Sequence, residues 1–179
     1  MAARFRLPAE WEPQAGVIVA WPHAGTDWAP RLARIETAYI ALIAAIARFE
    51  PVLICVADRP VQDRALQQLA TAGVDAAQIR FVEVVYDDTW LRDSGPLTLS
   101  DGANFRLVDF RFTGWGGKFE GDRDDRMVES LLARGVLGTA EHRRIDWALE
   151  GGAAESPGNG PPRTTRGRLA SGERREWEG

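Results

Sequence analysis

The sequence predicts an α/β fold. Short apolar runs rich in β-branched residues recur from residue 16 to residue 149. Stretches with apolar residues at three- and four-residue spacing separate them, and Gly or Pro marks most of the junctions. Gly16–Trp21 (GVIVAW) is a continuous apolar run stopped by Pro22, the pattern of a buried strand. Residues 29–49 read as a helix, with Pro30 in the first turn, where a missing N–H costs little. Leu32, Ile35, Tyr39, Leu42, Ile43 and Ile46 would form its buried face. Residues 51–57 (PVLICVA) are a second buried strand, and residues 60–72 a second amphipathic helix ended by Gly73. Residues 79–86 make a third strand, with two more at 96–99 and 105–112. In the last of these, Arg106, Val108, Phe110 and Phe112 form the more apolar face. A helix is expected over 122–134, ending before Gly135, and a sixth strand over 144–149. Strand–helix–strand occurs at 16–57 and again at 105–149, a repeat of elements that hints at a modular fold.

Composition narrows the classes of function. A formal charge of -4 on 179 residues, with no basic stripe, argues against nucleic acid as the partner and suits a small cation better. One cysteine, Cys55, excludes an internal disulfide framework and a cysteine-cluster zinc site, and favours a reducing compartment. The longest apolar-rich run, 38–47, falls short of the roughly 20 residues that span a bilayer. The N-terminus lacks the apolar core of a signal peptide. A soluble, cytoplasmic protein is the expectation, with no membrane partner. From Ser156 to Gly179 the only large apolar residues are Leu169 and Trp177, among three Pro, five Gly and five Arg. Such a segment cannot bury enough apolar surface to offset chain ordering, so residues 1–155 are the expected folded part and 156–179 a disordered tail.

Three constellations are candidates for chemistry. Asp87–Pro96 (DDTWLRDSGP) places three acids, an Arg and a Trp in one loop. A carboxylate there accepts two parallel N–H bonds from a guanidinium, and a Trp stacks on the planar cation. The competing reading is a solvated acidic turn. Thr113–Phe119 (TGWGGKF) has three glycines around Trp115, which permits positive φ and a close backbone approach. It reads as a substrate-shaping loop or as a bulge or wide turn. Leu149–Gly152 (LEGG) sets a carboxylate at a strand end, lining a cleft or simply ending the strand.

The residues for nucleophilic chemistry are missing. Cys55 sits between Ile54 and Val56 in an apolar run and reads as a small buried hydrophobe. His23, after the first strand, and His142, in an Arg-rich turn, have neither metal spacing nor a neighbouring nucleophile, and read as loop or surface histidines.

Five motifs in this order resemble the agmatine deiminase family, also described as the Porphyromonas-type peptidylarginine deiminase family. They are Leu7–Pro13 (LPAEWEP), Ala20–His23 (AWPH), Asp88–Pro96 (DTWLRDSGP), Gly114–Phe119 (GWGGKF) and Leu149–Gly152 (LEGG), with remnants at Glu155, Gly158–Gly160 and Thr164–Thr165. The resemblance implies a pentein β/α-propeller, here incomplete, with about the first half of its five modules. It implies hydrolysis of agmatine to N-carbamoylputrescine and ammonia in putrescine biosynthesis, or the sister conversion of peptidyl arginine to citrulline, with no cofactor and no metal. By motif match, Asp93 and Glu150 are the guanidinium-holding carboxylates and Trp90 packs against the substrate. The family's catalytic His lies in a later Asp-Gly-His-x-Asp motif and its Cys near the end of a longer chain. Neither motif occurs here, so no residue is assigned as nucleophile or general acid. The expectation is a truncated, inactive chain, with a frameshift or early stop near residue 156. The alternatives are a non-catalytic guanidinium-binding fragment and a related amidinotransferase, which would need the same absent Cys and His. An incomplete propeller is also expected to self-associate through exposed apolar edges.

Overall fold

A computed structural model describes residues 5–158. The class is α/β, as expected, with two three-stranded sheets. The described residues divide into two compact units, one of residues 13–91 and one of residues 5–12 together with 92–158.

In the first unit, β1 (Val17–Ala20), β2 (Val52–Val56) and β3 (Ile79–Glu83) form a parallel sheet with β2 at its centre. A central parallel strand is covered on both faces, which explains why β2 is apolar at every position. Helix α1 (Leu32–Ile46) joins β1 to β2, and α2 (Arg59–Thr71) joins β2 to β3. Asp58 caps α2 by accepting from the Val61 N–H at 2.8 Å. Gly73, at φ 75°, closes it: the N–H groups of Gly73 and Val74 bond back to Ala70 and Leu69. Trp21, Ile43, Val52, Ile54, Val56, Val61, Ala65 and Leu69 make the core.

The face of α1 differs from the expected one. Leu42 is exposed, while Glu36 is buried. Glu36 accepts from Arg64 Nε at 2.9 Å, and Trp21 Nε1 lies 3.5 Å away. A paired carboxylate therefore occupies a position that hydrophobic spacing alone cannot find. Strand β3 stops at Glu83, short of the expected Tyr86. Its partner β2 ends at Val56, and the chain beyond turns into the Asp58 cap, so after the Val84 N–H bonds to the Val56 carbonyl no strand is left to pair with.

In the second unit, β4 (Leu97–Ser100) is antiparallel to β5 (Phe105–Arg111), and β5 is parallel to β6 (Glu141–Ala148). The expected alternation along β5 is not found: Leu107, Val108 and Asp109 are all buried, so this central strand is covered on both faces. Strand β6 begins at Glu141 instead of Arg144. Its charged start is stabilised by partners on β5: Arg106 bonds Glu141 at 2.9 Å, and His142 Nε2 lies 3.2 Å from Asp109 Oδ2. His142 is thus a strand residue held by a carboxylate; of its reading as a loop or surface histidine, the loop is corrected and the surface position stands. The expected helix at 122–134 contracts to α5 (Met127–Ala133). The residues before it turn because Asp125 bonds the Phe112 N–H at 2.6 Å and Arg144 at 2.7 Å. Within the segment expected to be disordered, Ser156 and Gly158 are tied to the N-terminal segment, through Leu7 and Arg6 respectively. The rest of that expectation falls outside the described residues. No helix among the described residues is long and apolar enough to cross a membrane.

Candidate guanidinium site

Asp93 lies on the single-turn helix α3 (Leu91–Ser94). Its carboxylate gathers two donors from distant motifs. The Gly152 N–H donates to Oδ1 at 3.0 Å, and Trp115 Nε1 donates to Oδ2 at 3.2 Å. A carboxylate offers about four lone-pair sites, so one on each oxygen remains for an incoming cation. That is the number a bidentate guanidinium uses.

The supply of these donors explains the glycines. A Cβ on Gly152 would collide with Asp93 Oδ1, and one on Gly151 with the Arg92 carbonyl. Both glycines of the LEGG motif are therefore needed for the close approach of the chain to α3. Glu150 precedes them, two residues beyond the end of β6, and is 7% exposed. It belongs to the same unit as Asp93. A register shift between Phe110 and Arg111 inserts extra residues into β6 just before it.

Trp115 sits in α4 (Gly114–Gly117), a turn wound left-handed. All four residues have positive φ, with Trp115 at φ 58° and ψ 49°. The Gly117 N–H bonds the Thr113 carbonyl at 2.8 Å, and the Lys118 N–H bonds the Gly114 carbonyl at 3.1 Å. Left-handed backbone costs a residue with a Cβ roughly 1–2 kcal/mol, and glycine little. Three glycines thus carry most of the turn, and Trp115 alone bears strain. The sequence left this segment open between a substrate-shaping loop and a bulge or wide turn; the structure makes it a turn, helical and of the unusual hand.

The flanks of Asp93 are also fixed. Arg92 Nη2 bonds Glu10 of the LPAEWEP motif at 2.6 Å. Within that motif Glu12 accepts from Arg6 at 2.6 Å and from the Ala9 N–H at 2.7 Å. The Arg6 bond, with the Ala9 N–H second, holds the Glu12 carboxyl at about 2. Deeper in the same unit, buried Asp109 accepts from Arg144 at 2.9 Å, and Arg144 grips Asp125 through both carboxylate oxygens at 2.7 Å.

Trp90, the third residue singled out, belongs to the other unit. It is 45% exposed, and its ring lies 6.0 Å from that of Trp28, whose Nε1 donates to Thr89 Oγ1 at 2.9 Å. Cys55 is fully buried in β2, and desolvation pushes its thiol up to about 12. Nucleophilic attack requires the thiolate, so Cys55 is structural. His23 faces Tyr86 edge-on at 4.9 Å and accepts from the Gly25 N–H through Nδ1. Among the described residues no group of three or more His, Cys, Asp or Glu is arranged to hold a metal.

Sequence reasoning singled out Asp93 and Glu150 but missed how Asp93 is held. The triple glycine around Trp115 was the available signal, since it announced an unusual backbone without saying where the indole points.

The comparisons with known proteins agree with these motifs. An agmatine deiminase of Pseudomonas aeruginosa (strain LESB58) is 37% identical over 168 residues, covering 90% of this chain and 43% of the relative. The solved agmatine deiminase of Enterococcus faecalis superposes with a TM-score of 0.76 at 29% identity, over 89% of this chain and 43% of that one. An agmatine deiminase of C. jejuni with substrate bound matches in fold, with a TM-score of 0.84 at 24% identity, over 97% of this chain and 49% of that one. The chain therefore spans less than half the length of these relatives. Residues 6–177, a span that runs past the composition break at Ser156, match the Porphyromonas-type peptidyl-arginine deiminase family, and the chain belongs to that family.

Proposed function

We propose that this chain is the guanidinium-holding part of an agmatine deiminase. The observation that carries the reading is the Asp93 carboxylate, on which two motifs distant in sequence converge, with one acceptor site left on each oxygen. In this reading Asp93 and Glu150 fix the plane and charge of the guanidinium. A guanidinium is a resonance-stabilised cation and a poor electrophile, so orienting it precedes any attack on its central carbon. The attack itself needs a thiolate and a proton donor. Cys55, buried with its thiol pushed up to about 12, is unsuited to supply the first. The chain's own contribution is then to bind and orient, and taken alone it does not turn agmatine over.

The fold we assign is a pentein β/α-propeller of which this chain forms about the first half. Two sheets of three strands, each containing a parallel pair joined through a helix, support it. The compartment we assign is the cytoplasm, where a lone free thiol such as Cys55 stays reduced.

Calorimetry with agmatine and an ammonia assay on the purified chain test the proposal together. Agmatine binds, Asp93→Ala weakens binding roughly 10- to 100-fold, as expected for losing hydrogen bonds to a charged group, and no ammonia is released. Binding unchanged in Asp93→Ala, or turnover above a Cys55→Ala control, overturns it.

A further inference from the structure

We propose that Trp115 is a positioning residue for Asp93: the left-handed turn α4 exists to aim the indole N–H at the carboxylate and lock its plane. The inference rests on the reading of Asp93 as a guanidinium holder. It identifies what makes that carboxylate ready for its ligand.

The argument starts from the backbone. Among the described residues Trp115 is the one non-glycine residue with positive φ. A chain reversal alone does not require this. Glycine at position 115 would complete a run of four and adopt the conformation without strain. A large side chain retained at a strained position points to a role for the side chain. Left-handed backbone also sends the Cβ in a direction that a right-handed turn at the same place would not.

The ring is then held against rotation. Phe112 and Phe119 both meet it edge-on, with centroids at 5.0 Å and 5.6 Å and interplanar angles of 86° and 85°. Thr113 caps the turn through its side chain, accepting from the Gly116 N–H at 3.0 Å. With backbone and ring fixed, Nε1 has one orientation, and in it donates to Asp93 Oδ2 at 3.2 Å.

The consequence for Asp93 follows from where the donors fall. Rotation about the last torsion of an aspartate is soft. Gly152 holds Oδ1 and Trp115 holds Oδ2, so rotating the carboxylate breaks both bonds at once. The remaining acceptor sites keep one orientation before the ligand arrives, which removes an ordering cost from binding. Gly152 alone would leave Oδ2 without this restraint.

Trp115→Phe tests this in the full chain, because it keeps an aromatic ring between Phe112 and Phe119 and removes the N–H donor. Two measurements are made: agmatine affinity by calorimetry, and hydrogen exchange of the Gly152 amide, whose N–H is held by Asp93 Oδ1, by NMR. The variant is expected to bind about tenfold more weakly. Its Gly152 amide is expected to exchange faster, because a carboxylate free to rotate releases that bond, which a merely structural role for Trp115 would not produce. Unchanged affinity together with unchanged Gly152 exchange overturns the proposal. If the unaltered chain does not bind agmatine, the guanidinium reading falls, and the Gly152 exchange alone decides the positioning role. If Trp115→Phe does not fold, hydrogen exchange of the Trp115 indole N–H decides. Exchange faster in Asp93→Ala than in the unaltered chain supports the bond, and an equal rate overturns it.

Discussion

The two units of this chain are held by different kinds of interaction. Residues 13–91 fold around a continuous apolar core, in which Trp21, Ile43, Ile54 and Leu69 are completely buried. The unit containing residues 92–158 also buries apolar side chains, Met127, Val128 and Leu131 among them, but its sheet is laced by charge. Asp109 joins His142 and Arg144, Arg144 joins Asp125, and Arg92 joins Glu10. Apolar packing is non-directional and tolerates approximate shapes. Hydrogen bonds and close backbone approaches fix positions within a few tenths of an ångström. The unit that carries Asp93 and Glu150 is the one built from directional contacts, as a site that must hold a planar cation requires.

The largest expected effect tests the apolar side of this contrast. Ile54 lies at the centre of β2 with no exposure. Truncating Ile54→Ala should cost about 3–4 kcal/mol through lost transfer free energy and the cavity left behind. Urea unfolding checks it. A loss below about 1 kcal/mol would mean that the core repacks freely and that the first unit is not packing-limited.

The next effect tests the polar side. Asp109 is 2% exposed and gathers His142 and Arg144 across β5 and β6. Asp109→Ala removes the acceptor for both and should cost about 2 kcal/mol by the same measurement, less than a fully buried pair because Arg144 reaches solvent. Asp109→Leu, which refills the volume without charge, distinguishes the two mechanisms. Recovery of full stability would show that the second unit also depends on packing and that its charges are ornamental.

The same contrast explains what could be read without a structure. The apolar run of β2 and the caps of α2 are local patterns, and Asp58 and Gly73 lie where capping chemistry places them. The start of β6 was hidden because Glu-His-Arg-Arg reads as a solvated turn until Arg106 and Asp109 on the neighbouring strand supply partners. Glu36 was hidden for the same reason, its partner Arg64 lying on another helix. Asp93 and Glu150 were legible as carboxylates in recognisable motifs. The donors to Asp93 were not, because one is an indole aimed by a left-handed turn and the other a backbone N–H 59 residues away. Sequence spacing reports contacts within an element; it is silent about contacts between elements when those are polar.

The smallest effect concerns the N-terminal motif. Arg6, with the Ala9 N–H second, holds the Glu12 carboxyl at about 2, below its ordinary value of 4.5. A depressed carboxyl contributes stability that is complete above the unfolded value and lost as pH falls through the folded one. The contribution of Glu12 is thus intact above about pH 4.5 and disappears between there and about pH 2. Urea midpoints measured across that window should fall less steeply in Glu12→Gln than in the unaltered chain, and the two curves should run parallel above it. Because the pair is open to solvent, the difference in slope should also shrink in high salt. A difference that survives high salt would show that this pair behaves like the buried Asp109–Arg144 contact, and the contrast between exposed and interior charge within the second unit would fail.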